Sequence, residues 1–185
     1  MPPKVTPDVR ARAARIQLVL MDVDGVLTDG KYFHVPNPEG GLFEVKLFDS
    51  QDGIALQWLH RTGIKTGLIS GRDAQATRER ARSSHMTYCY MGSTEKLPLF
   101  QEILTDSGLT PDQVCYVGDD LTDAILMKRV GLAVAVANAV PEVKAYAHHV
   151  TLVPGGQGAL RETTELILEA QGKWQGILDH YEIGG

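Results

Sequence analysis

The sequence predicts an α/β fold, a doubly wound, Rossmann-like parallel sheet with a small β-hairpin flap and no cap domain. Three observations predict it. Apolar runs with strand character alternate with helical segments along almost the whole chain, which puts helices on both faces of a parallel sheet. A dense turn signal, Pro36-Asn37-Pro38-Glu39-Gly40-Gly41, separates two short β-prone runs and marks a hairpin too short for a folded cap. The acidic and hydroxyl residues gather where predicted strands end, the edge at which such sheets bind ligands.

In chain order, Thr6-Pro7-Asp8 signals a helix start, with Thr6 as cap and Pro7 in the first turn, and the helix is expected to end near Ala14. Ile16 to Met21 is apolar with one polar interruption, the pattern of a strand buried on both faces. Tyr32 to Val35 and Leu42 to Phe48 form the flap. Ile54, Ala55, Trp58 and Leu59 share a helical face that Gly63 ends. Ile64 to Ser70 is the next strand, followed by an Arg-rich helix from about Asp73. A strand near Met86 to Tyr90 and a helix from about Thr94 to Asp106 follow. Val114 to Val117 is a strand ending in Gly118-Asp119-Asp120, and a helix then runs to about Val130. A strand at Leu132 to Val136, a short helix, a strand at Val150 to Val153 and a helix from Ala159 to about Gln171 complete the pattern. This is one domain over 1–185, with a helical extension at about 1–15 and a tail at about 173–185.

Composition sets the bounds. The 185 residues suit one domain, and 43% hydrophobic with 22% charged residues is the globular range. A formal charge of −5 gives no reason to expect nucleic acid or an anionic membrane as partner. No secretory signal is visible, and the longest apolar stretch, Gly131 to Val140, is too short to span a bilayer, so a cytoplasmic protein is expected. Cys89 and Cys115 make neither a disulfide framework nor a metal quartet; both sit in strand-like runs and are expected to be buried thiols.

The strand ends carry the chemistry. Phosphate-monoester hydrolysis is so slow uncatalysed that its acceleration can approach about 10²¹-fold. A charge-neutralising metal, a placed nucleophile and a proton donor address that barrier together. Asp22 and Asp24 lie two apart after a strand, with Gly25 permitting a tight turn. Asp119, Asp120 and Asp123 form a second acidic group at another strand end. Carboxylates from both groups make the oxygen-rich site that Mg²⁺ prefers, and without an ion their mutual repulsion raises their pKa values. Ser70, in Ile69-Ser70-Gly71-Arg72, and Lys96, at a predicted helix start, supply a hydroxyl and a positive charge for a phosphoryl group. Each signal alone is bland: Asp-x-Asp and Gly-Asp-Asp cap turns and helices, Ser-Gly is an ordinary turn, and a lone lysine faces solvent. In this order at successive strand ends they describe a phosphoryl-transfer site.

The four motifs, Asp22-Val23-Asp24-Gly25-Val26-Leu27-Thr28-Asp29-Gly30, Ile69-Ser70-Gly71-Arg72, Lys96 and Gly118-Asp119-Asp120-Leu121-Thr122-Asp123, resemble those of the haloacid dehalogenase superfamily of phosphohydrolases. The resemblance spans approximately Ile16 to Lys173. Within the superfamily the chain is similar to the small capless branch that includes 3-deoxy-D-manno-octulosonate 8-phosphate phosphatase, of lipopolysaccharide precursor synthesis. Supporting segments are Asp52-Gly53, Val130 to Ala137, Gly155 to Glu162 and Ala170-Gln171-Gly172-Lys173. The resemblance implies a nucleophilic Asp22 and an acid/base Asp24. It implies Mg²⁺ on Asp22, the Asp24 backbone carbonyl and Asp119, with Asp120 and Asp123 holding metal-bound water or orienting Lys96. It implies phosphoryl contacts from Ser70 and Lys96, and a small phosphorylated sugar or sugar acid facing Asp24, Asp49, Ser50, Gln51, Asp52, Gly53, Gln57, Arg72, Arg80 and Lys96. It also implies a homotetramer in which a neighbour, helped by the chain end after Gly172, covers each open site. The chain departs from the branch at Gln51, Gln57 and Gln157, where arginine is common, and in Asp52-Gly53-Ile54-Ala55-Leu56. A neutral amide replaces a charged fork suited to a sugar-acid carboxylate, so another phosphosugar or a nonulosonate 9-phosphate is the alternative substrate.

A signalling receiver domain is the rival from another class. It would place an acidic pair after the first strand and its accepting aspartate later, the reverse of the order here. A catalytically silent assembly subunit is the other rival, and intact Asp22, Asp24, Lys96 and Asp119 speak against it. Elsewhere, the Arg72, Arg78, Arg80 and Arg82 patch is read equally as a solvated face, His148-His149 as an exposed strand approach, and His34 as a surface side chain. Gly155-Gly156-Gln157-Gly158 lacks a P-loop continuation and reads as a flexible turn. Trp58 is expected in the core and Trp174 at an interface.

Overall fold

The computed structural model describes residues 5–183, so the start of the expected N-terminal extension and the last two residues of the expected tail lie outside the described residues. Strand β1 (Leu18–Met21) is buried along its whole length, as an unbroken apolar run requires when it has neighbours on both edges and helices on both faces. It pairs in parallel with β4 (Lys65–Ser70) on one side and β6 (Val114–Gly118) on the other. Adding β5 (Tyr88–Met91), β7 (Leu132–Ala135) and β8 (His149–Val150), the strand order is β5-β4-β1-β6-β7-β8. The chain leaves β1 toward one edge and β6 toward the other, which makes the crevice between β1 and β6 the topological switch point. Register sets Met21 beside Leu68 of β4 and Val117 of β6. The residues that follow these three strands therefore emerge on one rim.

The flap is an antiparallel pair, β2 (Phe33–Pro36) and β3 (Leu42–Val45), with Phe33 opposite Val45 and Pro36 opposite Leu42. Gly40 and Gly41 take the positive φ values, 100° and 83°, that its turn needs. The hairpin leaves Phe33, Leu42 and Leu47 exposed, Leu47 by 74%.

Helices α1 (Pro7–Ala13), α2 (Ser50–Arg61), α3 (Gln75–Ser83), α4 (Lys96–Ser107), the single turns α5 (Ala124–Met127) and α6 (Pro141–Lys144), and α7 (Ala159–Ala170) flank the sheet. Thr6 caps α1 and Asp49 caps α2, each accepting from backbone N–H groups of the first turn. α2 packs on α7. Gly158, which precedes α7, offers no side-chain cap; Asp52 of α2 does the work across the interface, accepting from the Arg161 N–H at 2.9 Å.

Several expectations change. Ile54 is 44% exposed because the buried face of α2 centres on Ala55, Leu56 and Leu59 and leaves Ile54 at its margin. The helix after Asp120 begins as a 3₁₀ turn at Leu121–Asp123 and ends early at Met127. The last strand is shorter and earlier than expected, since the N–H groups of Leu152 and Val153 turn to the Glu162 carboxylate instead of the ladder. Cys115 is buried, but Cys89, on the edge strand β5, is exposed. His148 is half-buried, its Nδ1 accepting from the Ala133 N–H at 2.9 Å. The turn at Gly155-Gly156 is packed, not loose: a Cβ on Gly155 would lie 1.8 Å from the Gly25 carbonyl oxygen. The tail folds as well. Helix α8 (Trp174–His180) buries Ile177, sets Trp174 edge-on to the buried Trp58 at 5.3 Å and brings the Tyr181 hydroxyl to the Trp58 indole N–H at 3.1 Å. No helix among the described residues is long and apolar enough to cross a membrane.

Candidate active site

Asp22 is the first residue past β1, its N–H bonded to the Val117 carbonyl of β6 at 3.0 Å. The chain then turns tightly, with the N–H groups of Leu27 and Thr28 both directed at the Val23 carbonyl. Gly25 is required here twice over: its φ is 89°, and a Cβ would fall 2.1 Å from Asp119 Oδ2. Asn138 ties this loop to the one before α7, donating to the Gly25 carbonyl at 3.1 Å and accepting from the Gly155 N–H at 2.7 Å.

Lys96, 2% exposed, points inward rather than to solvent. Its ammonium meets Asp22 Oδ1 at 2.9 Å, Asp123 Oδ1 at 2.6 Å and the Tyr116 hydroxyl at 3.0 Å. Those three acceptors use all its donors. Burial opposes its charge, but Asp22 and Asp123 outweigh that and hold its pKa above the ordinary value. Asp123 is saturated too. Its Oδ1 also accepts from the Tyr116 hydroxyl at 2.7 Å, and its Oδ2 accepts from the Asp119 and Asp120 N–H groups at 2.9 and 3.2 Å. Asp120 is exposed and caps the following 3₁₀ turn through the Leu121 N–H, without reaching Lys96.

Carboxylate oxygens of Asp22, Asp119 and Asp123 lie within 4.8 Å of one another. Asp119 Oδ1 is buried with no hydrogen-bond partner. Burial first, and then the charges of Asp123, Asp22 and Asp120, push the Asp119 carboxyl up to about 8. Burial likewise raises Asp22 to about 6 against the pull of Lys96. The orphaned Asp119 oxygen beside Asp22, with both carboxyls raised by burial, fits a divalent cation, which would replace the proton on Asp119 and satisfy that oxygen. With Asp123 committed to four hydrogen bonds, Asp22 and Asp119 are the side chains left to bind it.

Ser70 ends β4, is almost fully buried and accepts from the Arg72 N–H at 3.2 Å. Together with Asp22, Asp24, Arg72, Lys96 and Asp119 it lines a cleft of about 500 Å³ at the switch point. A larger hollow of about 750 Å³ lies at the opposite, amino-terminal end of the strands, among Ile16, Lys65 and Gln171, and holds none of these groups. Chemistry, not size, marks the site.

Residues 89–158 match the model of the haloacid dehalogenase-like hydrolases. The chain is 42% identical to the 3-deoxy-D-manno-octulosonate 8-phosphate phosphatase of Yersinia pestis over 172 residues, 93% of this chain and 90% of that one. A structure of the Moraxella catarrhalis phosphatase of the same name, in complex with a magnesium ion, a phosphate ion and a KDO molecule, superposes with a TM-score of 0.88 at 33% identity, covering 94% of this chain and 98% of that one. The cobalt-bound Haemophilus influenzae phosphatase superposes with a TM-score of 0.81 at 34% identity over 89% of this chain and 94% of that one. The chain belongs to the 3-deoxy-D-manno-octulosonate 8-phosphate phosphatase family of haloacid dehalogenase-like hydrolases.

Of the residues that the sequence assigns to substrate in this family member, only Asp24, Arg72 and Lys96 line the cleft. Asp52, 1% exposed, caps α7 and does not line this cleft. Burial raises its carboxyl to about 6. Gln57 donates to the carbonyl of Ser83, the last residue of α3, at 2.7 Å. Arg80 lies over the Phe48 ring and reaches the Asp49 carbonyl at 3.3 Å. Asp49, Ser50, Gln51 and Gly53 form the start of α2, outside the cleft.

Lys46 is the residue that sequence reasoning missed. Its Nζ sits 2.7 and 2.8 Å from the two Asp24 carboxylate oxygens and 3.2 Å from Glu44 Oε1. The signal was available in the alternation of the flap strand, which puts Glu44 and Lys46 on one face. Tyr116 carried no such signal, since within an apolar strand it reads as core.

Proposed function

We propose that this family member is a Mg²⁺-dependent phosphomonoesterase that works through an aspartyl-phosphate on Asp22, with a phosphorylated sugar acid of the 3-deoxy-D-manno-octulosonate 8-phosphate kind as its substrate. The observation that carries the reading is the Asp22 carboxylate, pinned by Lys96 at the switch point beside the orphaned Asp119 oxygen. In this reading an Asp22 oxygen attacks phosphorus, the ester P–O bond breaks, and Asp24 gives its proton to the departing oxygen. Asp24, now ionised, takes a proton from water as that water attacks phosphorus. The Asp22–phosphorus bond breaks, phosphate leaves and both aspartates are restored. Lys96 and Ser70 orient the phosphoryl oxygens. Asp22, Asp119 and the Asp24 carbonyl would hold Mg²⁺, which supplies charge neutralisation for the phosphoryl group.

The same reading makes the enzyme cytoplasmic and homotetrameric. The exposed apolar flap residues Phe33, Leu42 and Leu47 support a contact with a second copy, and the open cleft supports a neighbour as its cover. Asp49, Ser50, Gln51, Gly53, Gln57 and Arg80 then contact substrate across the subunit boundary. Gln51, Gln57 and Gln157 favour a second reading, in which a less acidic phosphosugar or a nonulosonate 9-phosphate is preferred. Turnover of a panel of phosphorylated sugars and sugar acids with Mg²⁺ separates the two. Arginine placed at the three glutamines is expected to improve sugar-acid use, and no phosphate release from any ester would remove the phosphatase reading altogether.

A further inference from the structure

We infer that Lys46, on the flap, is a positioning residue for Asp24 and makes the hairpin a working part of the proton-transfer apparatus. This rests on Asp24 as the proton carrier and adds the element that holds it. The Lys46 side chain has no exposed surface, and an ammonium taken out of water needs compensating charge. Asp24, engaged through both oxygens, and Glu44 supply it. Lys46 is the sole hydrogen-bond partner of the Asp24 carboxylate among the described residues. Arg72 flanks the same two acids, its Nη1 3.2 Å from Glu44 Oε2 and its Nε 3.9 Å from Asp24 Oδ2, and donates to the Tyr32 hydroxyl at 2.6 Å. Two cations and two carboxylates thus form one balanced cluster from the flap to the end of β1.

A proton carrier must sit within hydrogen-bond reach of the oxygen it serves, and a displacement of about 1 Å is enough to cost rate. Without Lys46 the Asp24 and Glu44 carboxylates would face each other as like charges, and Asp24 would turn away from the cleft. Lys46 itself points at Asp24 and Glu44, so its effect on turnover runs through Asp24.

The test uses the full-length protein with Mg²⁺ and two esters. A sugar phosphate needs a proton on its departing alkoxide, whereas p-nitrophenyl phosphate releases a stable phenolate without one. Lys46→Met is expected to lower kcat on the sugar phosphate by about 10- to 100-fold with KM little changed. The first-turnover burst of nitrophenolate is expected to keep its rate. Lys46→Arg should recover part of the loss, and adding Lys46→Met to Asp24→Asn should cost nothing further. Losses that add in the double variant, or a burst slowed as much as sugar-phosphate turnover, would overturn the inference. Thermal melting reports folding, and Lys46→Arg carries the same double-variant comparison if the methionine variant does not fold. An Asp24→Asn enzyme that hydrolyses the sugar phosphate at the wild-type rate would instead sink the proton-carrier reading.

Discussion

Lys96 and Asp22 are 74 positions apart in the chain, yet the lysine ammonium sits 2.9 Å from the Asp22 carboxylate in a buried corner shared with Tyr116 and Asp123. Because Asp123 and Tyr116 fill its other donors, the ammonium cannot swing away. Asp22, which lines the cleft, is therefore held in one orientation.

Loss of that carboxylate should be near-complete in effect. Asp22→Asn is expected to lower turnover by on the order of 10³-fold or more, with far-ultraviolet circular dichroism unchanged. Beryllium fluoride, as a phosphoryl mimic, should attach to Asp22 in the wild type. A crystal structure with the mimic on another aspartate would refute the assignment.

Mg²⁺ binding should displace a proton. Burial and neighbouring carboxylates raise Asp119 to about 8, so at pH 7 the metal-free carboxyl is mostly protonated. Binding should release about one proton per ion at pH 7, and affinity should rise with pH until about 8 and level off above it. Titration calorimetry in two buffers of different ionisation enthalpy measures this; no proton release would count against Asp119 as a ligand. Exhaustive chelation should abolish activity, and Asp119→Ala should weaken Mg²⁺ binding sharply.

Asp52 should make stability pH-dependent. Its folded-state value of about 6 lies above the ordinary 3.8 because burial disfavours the charged form. A carboxyl raised on folding contributes stability that is fully present below pH 3.8 and is lost as pH rises through 6. The shift corresponds to a loss of about 3 kcal/mol by neutral pH. Asp52→Asn keeps the oxygen that caps Arg161 and removes the titration. Its denaturant midpoint should exceed the wild type's at pH 7.5 and approach it near pH 4; a difference independent of pH would contradict this.

Removal of the chain after Gly172 should destabilise the subunit itself. The cut strips Trp174 and Ile177 from Trp58 and from the core, a loss of about 2–4 kcal/mol. If the chain end also covers a neighbour's site, sugar-phosphate turnover should fall more than p-nitrophenyl phosphate turnover at temperatures where the truncated protein stays folded. Equal losses for both esters would leave the packing role alone.

The sequence by itself determined the buried first strand, the alternation that makes a parallel sheet, and the aspartates, serine and lysine that meet at its rim. These were legible because hydrophobic period and turn chemistry are local, and because a parallel sheet brings strand ends to one edge whatever the loops do. Where the side chains point was not legible. Lys96 is read as a phosphoryl contact but not as a buried one, and Lys46 carries no reading in the sequence; both are buried, because Lys96 finds Asp22 and Asp123 and Lys46 finds Asp24 at the end of β1. Asp52 reads as a substrate contact, yet α7 lacks a cap of its own and Asp52 meets its N-terminal turn. The tail is expected to serve a neighbour, with Trp174 at an interface, yet within the subunit Trp58 offers Trp174 an aromatic face. In each case burial of a charge or an apolar ring is favourable only once a partner from elsewhere in the chain is in place, and only the tertiary structure supplies that partner.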